Sequence, residues 1–416
     1  MAITNTTNFD AALKQIYSAS NVATTTLTRR PLLALLPKRT DFGGRNMPIV
    51  NVFGDPQGRS AVFATAQTNA SQVKVDDFLL TRVSNYSIAQ VGSEAAEASK
   101  GDSMAFLSAL KASIDGAMNA LSNSLETELF RSGTGTIGVV GTYSATGTTF
   151  ILTEAESVAN FDVNMVLVAS ATDGGALRTG SNTITGVDRS TGTITSTVAW
   201  DTGITAFEAT DFLYGEGDAA NGGANVAISG LNAWLPSSAP SGGESFFGVD
   251  RSVDSRLYGQ YYDASALDVQ DGLIDGSSLS ARVGGSPDLA FINHVQMRTM
   301  VKSLTGSQQY NQVNAVTHKQ VVADVGFRSV NITADNGQID VVAAAKCPAE
   351  SGYIIEKKTW ILASLGEPVK FLNLDGNKIL RAATTDTLEA RLAFRGNLAC
   401  KAPIYNVRLL MPAVPV

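Results

Sequence analysis

Between Ser103 and Gly133 the apolar residues Leu107, Leu110, Ile114, Met118, Leu121, Leu125 and Leu129 recur at intervals of three and four. That spacing puts one apolar stripe along a helix of some seven turns. Asp102 or Ser103 can cap its start, and Gly133 ends it. At about 1.5 Å per residue the helix is about 40 Å long, enough to organise a domain. The preceding stretch has the period of strands. Ile49–Phe53 is apolar and Asp55 to Gly58 is a turn. Val73 and Val75 alternate with Lys74 and Asp76, and Tyr86 and Ile88 with Asn85 and Ser87. Between these strands Gln57–Ser71 is small, polar and uncharged apart from Arg59. A long two-stranded excursion of this kind has little apolar material to cover either face. An isolated hairpin is marginal in water, so this one is expected to lean on another subunit.

Residues 1–45 read as an extended arm with a short helical piece around Phe9–Tyr17, interrupted by Pro31, Pro37 and the pair Gly43 and Gly44. Residues 134–227 are dominated by Thr, Gly, Ser and Val, with turn signals about every ten residues. They read as a small all-β unit with Phe150, Ile151, Phe161, Val166, Leu167, Val168, Trp200 and Phe212 as its core. Ile184–Val187 and Thr193–Thr195 flank a turn at Asp188–Gly192, a hairpin signature. From residue 228 the pattern mixes α and β. Ser265–Ala281 reads as a helix with Leu267, Ile274 and Ala281 on one face. Asp288–Ile292 is a strand leading into the helix His294–Leu304. The end is strand-rich, with turns at Asn336–Gly337 and Asp375–Gly376. Leu388, Ala390, Leu392 and Phe394 alternate with Glu389, Arg391 and Arg395, the pattern of a half-buried strand; Tyr405, Val407 and Leu409 repeat it.

At 416 residues the chain is long enough for two or three domains and a substantial core without disulfides or metals. Only 17 % of residues are charged, below the roughly 25 % usual for soluble proteins, which lowers the cost of burying surface between subunits. The net charge of −7 is uneven. Residues 134–227 carry ten acidic side chains against two arginines, Arg178 and Arg189, and no lysine. The first sixty residues carry seven basic groups against three acidic ones, a candidate neighbour for nucleic acid or an acidic surface. Cys347 and Cys400 lie far apart with no CxxC spacing, so they read as reduced, buried thiols rather than a disulfide or zinc site. No basic segment followed by an apolar one marks the N-terminus, and no apolar run approaches the ~18 residues of a membrane span. The expectation is a protein made in a cytoplasm that stays soluble.

Catalytic chemistry is sparse. Gly133 to Gly138 matches GxGxxG, but it follows a helix and enters a β region, whereas a dinucleotide site needs strand, loop and then helix. His294 and His318 lack acidic or histidine partners at ligand spacing. The acidic residues Asp250, Asp254, Asp263, Asp268, Asp271 and Asp275 include no oxygen-ligand loop; they read as a solvated face or as partners of Arg251 and Arg256. No cofactor and no enzymatic activity are expected.

The order of these elements resembles the major capsid proteins of tailed double-stranded DNA phages, an α+β class with the HK97-like fold. The local stretches that carry the likeness are Gly248–Ser252 with Arg256–Gly259 and Asp263–Ser265; Ile339–Val342 leading to Cys347, Pro348 and Gly352–Ile355; Thr359–Leu362; and Glu389–Ala390 followed by Asn397–Cys400 and Pro403. The resemblance implies an N-terminal arm (1–45), an E-loop (46–92), a peripheral-domain spine helix (93–133), and a mainly axial region (228–337). The remaining axial and peripheral strands follow (338–416). The β block 134–227 departs from the minimal family and is expected to be an inserted all-β domain. The family likeness further implies self-assembly into hexamers and pentamers of an icosahedral shell around packaged double-stranded DNA. Scaffolding, portal and decoration or cement proteins are the implied partners, with no membrane, in the virion and in host cytoplasm during assembly. Phe53, Arg59, Phe63, Lys74, Phe78 and Arg82 are then candidates for contacts between subunits. Arg29, Arg30, Lys38 and Arg39 are candidates for a DNA-facing basic arm. An encapsulin-like nanocompartment shell shares the fold and is the alternative; a phage tail or surface-layer protein would account for 134–227 but not for the long helix.

Overall fold

The computed structural model describes residues 30–92, 103–144, 146–220, 225–305, 329–335, 337–373, 376–381 and 386–413; for 103–112 and 304–305 it describes the backbone. The helical piece at Phe9–Tyr17, Arg29 and His318 lie outside the described residues.

The periodic stripe forms a 28-residue helix, Ser103–Phe130, in which Ile114, Met118, Leu121, Leu125 and Leu129 are buried. Beyond its end Gly133 takes φ +95°, a conformation that other residues rarely adopt, and turns the chain away. A six-stranded sheet packs against this helix. Its centre is the 14-residue strand Thr387–Cys400, antiparallel to Val83–Gly92 from Thr387 opposite Gly92 to Gly396 opposite Val83. Trp360–Ser364 pairs with the other edge near Cys400, and Lys38–Arg39 runs parallel to Trp360–Ser364. Asn85 opposite Phe394 and Ser87 opposite Leu392 share the face toward the helix, which explains the burial of Leu392 and Phe394. Leu32, Leu33, Leu35 and Leu36, in and just after the short helix Pro31–Leu35, pack into the same core.

A second six-stranded sheet runs in the order Gln260–Asp263, Val407–Leu410, Ser351–Ile355, Leu289–Ile292, Gly337–Ala343, Ser329–Ala334. The helix Val269–Arg282 packs on it, and His294–Thr305 packs on that helix. The expected stripe of Leu267, Ile274 and Ala281 is corrected here. The helix starts at Val269 and buries Val269, Gly272, Leu273, Gly276, Ser277 and Ser280. Small residues make this face because the helix lies close to the sheet: a Cβ at Gly276 would meet Leu409 Cδ2 at 2.5 Å. A count of apolar residues does not see such a face.

Residues 138–215 close into a barrel, with Phe212–Gly215 pairing both Gly138–Tyr143 and Val166–Ser170. Its core holds Phe150 against Trp200, ring centroids 4.6 Å apart, and Trp200 stacked on Phe207 at 5.3 Å. Ile151 is the misplaced member of the expected core. It is exposed, because Phe150 and Leu152 on either side of it point inward. Val166 and Phe212 are half-buried, and Ile184, Ile194, Ile204, Phe207 and Leu213 complete the interior. The hairpin about Asp188–Gly192 forms as read, its turn held by the Asp188 carboxylate, which accepts from Ser190 and Thr191.

Candidate assembly surfaces

The excursion after the arm is a two-stranded hairpin, Asn46–Gly54 with Lys74–Thr81, registered from Asn46 opposite Thr81 to Gly54 opposite Lys74. Alternation splits it into two faces. Met47 opposite Leu80 and Ile49 opposite Phe78 face the body and are buried. Phe78 meets Trp234 edge-on at 5.1 Å, and Arg256 donates to the Phe53 carbonyl at 2.6 Å, so the base is held rigidly. The opposite face carries Pro48 with Leu79, Val50 with Asp77, and Val52 with Val75. Val50, Val52 and Val75 are 62, 58 and 52 % exposed.

Beyond Gly54 the small polar stretch holds a short helix, Phe63–Thr68, in which no residue is buried. Phe63 is 81 % exposed at its first position. The neck below this tip is closed by the Gln57 backbone N–H donating to Ser71 Oγ at 2.7 Å. Scattered exposed apolar residues are ordinary. A row of valines on one face of a protruding hairpin, ending in a bare phenylalanine, is a candidate contact surface. Burying each of these side chains against a neighbour contributes on the order of 1 kcal/mol at roughly 25 cal/mol/Å².

A second open face lies on the first sheet, turned away from the long helix. There Tyr86 and Ile88 are exposed, with Arg391 opposite Ile88 and Arg395 opposite Ser84. Arg395 lies over the Tyr86 ring at 5.7 Å, and Arg391 pairs with the buried carboxylate of Glu389.

The residues expected at contacts divide along the alternation. Arg59, Phe63 and Lys74 are exposed on the tip and its neck. Phe53 and Phe78 are corrected: both are buried within their own subunit, because their parity places them on the inner face. Arg82 is half-buried, donating to the Phe42 carbonyl at 3.0 Å with its guanidinium over the Phe42 ring. Val50, Val52, Val75, Tyr86 and Ile88 are not among the contact candidates read from sequence, although the same period-two pattern carries them.

Of the basic arm residues, Arg30 is corrected. It is 3 % exposed and donates to Asn123 Oδ1 at 2.6 Å and to the Asn119 carbonyl at 3.1 Å, so its guanidinium is turned into the subunit. Lys38 and Arg39 are exposed, and Arg39 pairs with Asp41 at 2.6 Å.

Three of the acidic residues of 250–275 hold local turns, and a fourth pairs across to a strand. Asp250 accepts from the Ser252 N–H, Asp254 from the Arg256 N–H, Asp263 from the Ser265 N–H, and Asp275 from the Tyr262 hydroxyl. Among the described residues no three His, Cys, Asp or Glu side chains converge as a metal site. No helix of the described residues is long and apolar enough to cross a membrane. Cys347 and Cys400 are free and buried, and burial pushes both thiols up.

No family model matches the chain, and no curated protein matches it. Solved structures do. A chain of the cyanophage A-1(L) capsid asymmetric unit superposes with a TM-score of 0.52 at 10 % identity, over 95 % of this chain and 94 % of that one. A native GTA particle capsid gives 0.44 at 8 % identity, over 93 and 91 %. The holo-SrpI encapsulin complex of Synechococcus elongatus gives 0.41 at 10 % identity, over 99 and 96 %. The mixed α/β fold of this chain, over nearly its whole length, is therefore one found in a phage capsid.

Proposed function

We propose that the chain is the major capsid protein of a tailed double-stranded DNA phage, with the HK97-like arrangement. In this reading Ser103–Phe130 is the spine helix, 46–92 is the E-loop, the second sheet and its helices form the axial domain, and the barrel is an inserted domain. Copies assemble into hexamers and pentamers, and these into a closed shell. The observation that carries the proposal is the hairpin. Its base is fixed to its own subunit through Phe78 and Arg256, while its outer face and tip expose Val50, Val52, Val75 and Phe63. A chain acting alone gains nothing from such an arm. Many modest heterologous contacts repeated around symmetry axes close a shell.

The acid-rich block 134–227 is disfavoured against DNA phosphates, which supports placing the barrel on the outer side of the shell. There it is open to a decoration protein. Among the described candidates, Lys38 and Arg39 are the exposed cations for an inner, DNA-facing side, Arg39 paired with Asp41. Scaffolding and portal proteins complete the assembly in host cytoplasm, and the chain ends in the virion. Negative-stain microscopy of the purified protein tests the reading: closed shells support it, whereas monomers, tubes or flat sheets contradict it.

A further inference from the structure

Asn123–Glu128, about one and a half turns of the long helix, holds four segments that are distant in sequence. From the arm, Arg30 donates to Asn123, and the backbone N–H groups of Leu32 and Leu33 donate to the two Glu126 carboxylate oxygens at 3.0 and 2.9 Å. From the strand that leaves the hairpin, Asn85 Nδ2 donates to Glu128 Oε1 at 2.6 Å and to Ser124 Oγ at 3.0 Å. From the barrel, Asn160 Oδ1 accepts from the Thr127 hydroxyl at 3.2 Å. From the chain returning out of the barrel, the Ile228 N–H donates to Glu128 Oε2 at 3.1 Å. Glu126, Thr127 and Glu128 are all buried.

These bonds are not independent. Each buried carboxylate is satisfied by groups from elsewhere in the chain, and removing one of those groups leaves a buried charge short of partners. The helix fixes Glu126, Thr127 and Glu128 relative to one another, so a shift at one alters the geometry offered to the others. Lys346 adds a further tie, donating to the Ala159 carbonyl of the barrel while lying near enough to Glu126 and Arg30 to feel both charges.

We propose that Asn123–Glu128 is a clasp that couples the arm, the hairpin's exit strand and the barrel, so that loosening any one of them loosens the others. The coupling belongs to the single subunit and stands whether or not the chain builds a shell. In an assembling protein it would pass a load on the hairpin to the arm and the barrel.

Burial also perturbs the two carboxylates of the clasp. Burial pushes Glu126 and Glu128 up from 4.5 to about 7. Glu126 faces Arg30 from the arm and Lys346 from the loop after the second sheet's strand Gly337–Ala343, both of which oppose the rise. Glu128 faces Asp218, which adds to it. Lys346, itself lowered to about 8, also feels Asp162 and Arg189 of the barrel. The arm's own groups, the Leu32 and Leu33 N–H donors and the Arg30 charge, favour the ionised Glu126 carboxylate against that burial.

Hydrogen exchange read by mass spectrometry on the full chain tests the coupling. Asn160→Ala alters only the barrel side, yet the amides of Leu32–Leu36 should exchange about 5-fold faster or more, the lower end of ordinary coupling between sites. The reciprocal Arg30→Ala should speed exchange at residues 155–160 and around Asn85. Arg381→Ala, which removes an exposed pair with Asp386, should change none of these segments. Changes confined to the mutated segment would overturn the proposal.

Discussion

Val52 and Val75 stand directly opposite each other across the hairpin, and both face solvent. A cross-strand valine pair is a good β contact, but here it covers no core. Val52→Asp should therefore leave the unfolding free energy of the isolated subunit within about 0.5 kcal/mol of the unmutated chain, as for other surface changes. It should strongly impair assembly, read by sedimentation velocity. A loss of stability as large as that of a core mutation would show that the face is not free.

Phe78 tests the other side of the same strand. It is fully buried and packs on Trp234 and Phe246. Phe78→Ala should cost about 3–5 kcal/mol of stability, the usual range for a buried aromatic, and this should be visible in a urea titration before any assembly. A subunit of unchanged stability that fails to assemble would instead return Phe78 to the contact surface.

Glu126 and Glu128 give the subunit a pH dependence of definite sign. Their folded values of about 7 lie above 4.5, so the folded state binds more protons than the unfolded state between those limits. The stability they contribute is complete below about pH 4.5 and is lost as the pH rises through 7. Lys346, lowered from 10.5 to about 8, acts above that range: there the unfolded state binds more protons, and stability recovers as the pH rises further. The urea midpoint should fall between pH 5 and pH 7.5, and the fall should be smaller in Glu126→Gln/Glu128→Gln. A midpoint that rises across this interval would contradict the burial of the two carboxylates.

Gly230 follows the return from the barrel, and a Cβ there would collide with the backbone carbonyl oxygens of Glu128 and Leu129. No side-chain movement relieves a clash with backbone. Gly230→Ala should destabilise the subunit by about 1–3 kcal/mol, and at the same position Gly230→Val should be worse. An unchanged melting temperature in Gly230→Ala would mean that the return does not lie against the end of the long helix.

The long helix, the hairpin strands, the strand Thr387–Cys400 and the barrel's Asp188 turn were legible because apolar spacing and turn residues report them directly. Failures came where burial uses other means. The helix Val269–Arg282 buries glycine and serine, which carry no apolar signal. Ile151, Phe53 and Phe78 were misassigned by strand parity, which a list of large apolar residues does not respect. The clasp leaves no mark in the apolar spacing, which passes over Glu126 and Glu128. Their place in the last turn of a helix was the available sign: the dipole there disfavours negative charge, so acids at that point call for another reason to be present. Arg30 reads as a DNA-facing cation from sequence because its partners, Asn119 and Asn123, lie about ninety residues away.

A cryo-electron microscopy map of the purified, assembled protein tests the central claim most directly. The account predicts a closed icosahedral shell in which the Val50, Val52 and Val75 face of each hairpin, with Phe63 at its tip, is buried against a neighbouring subunit. A monodisperse monomer, or a shell in which that face points into solvent, would contradict it.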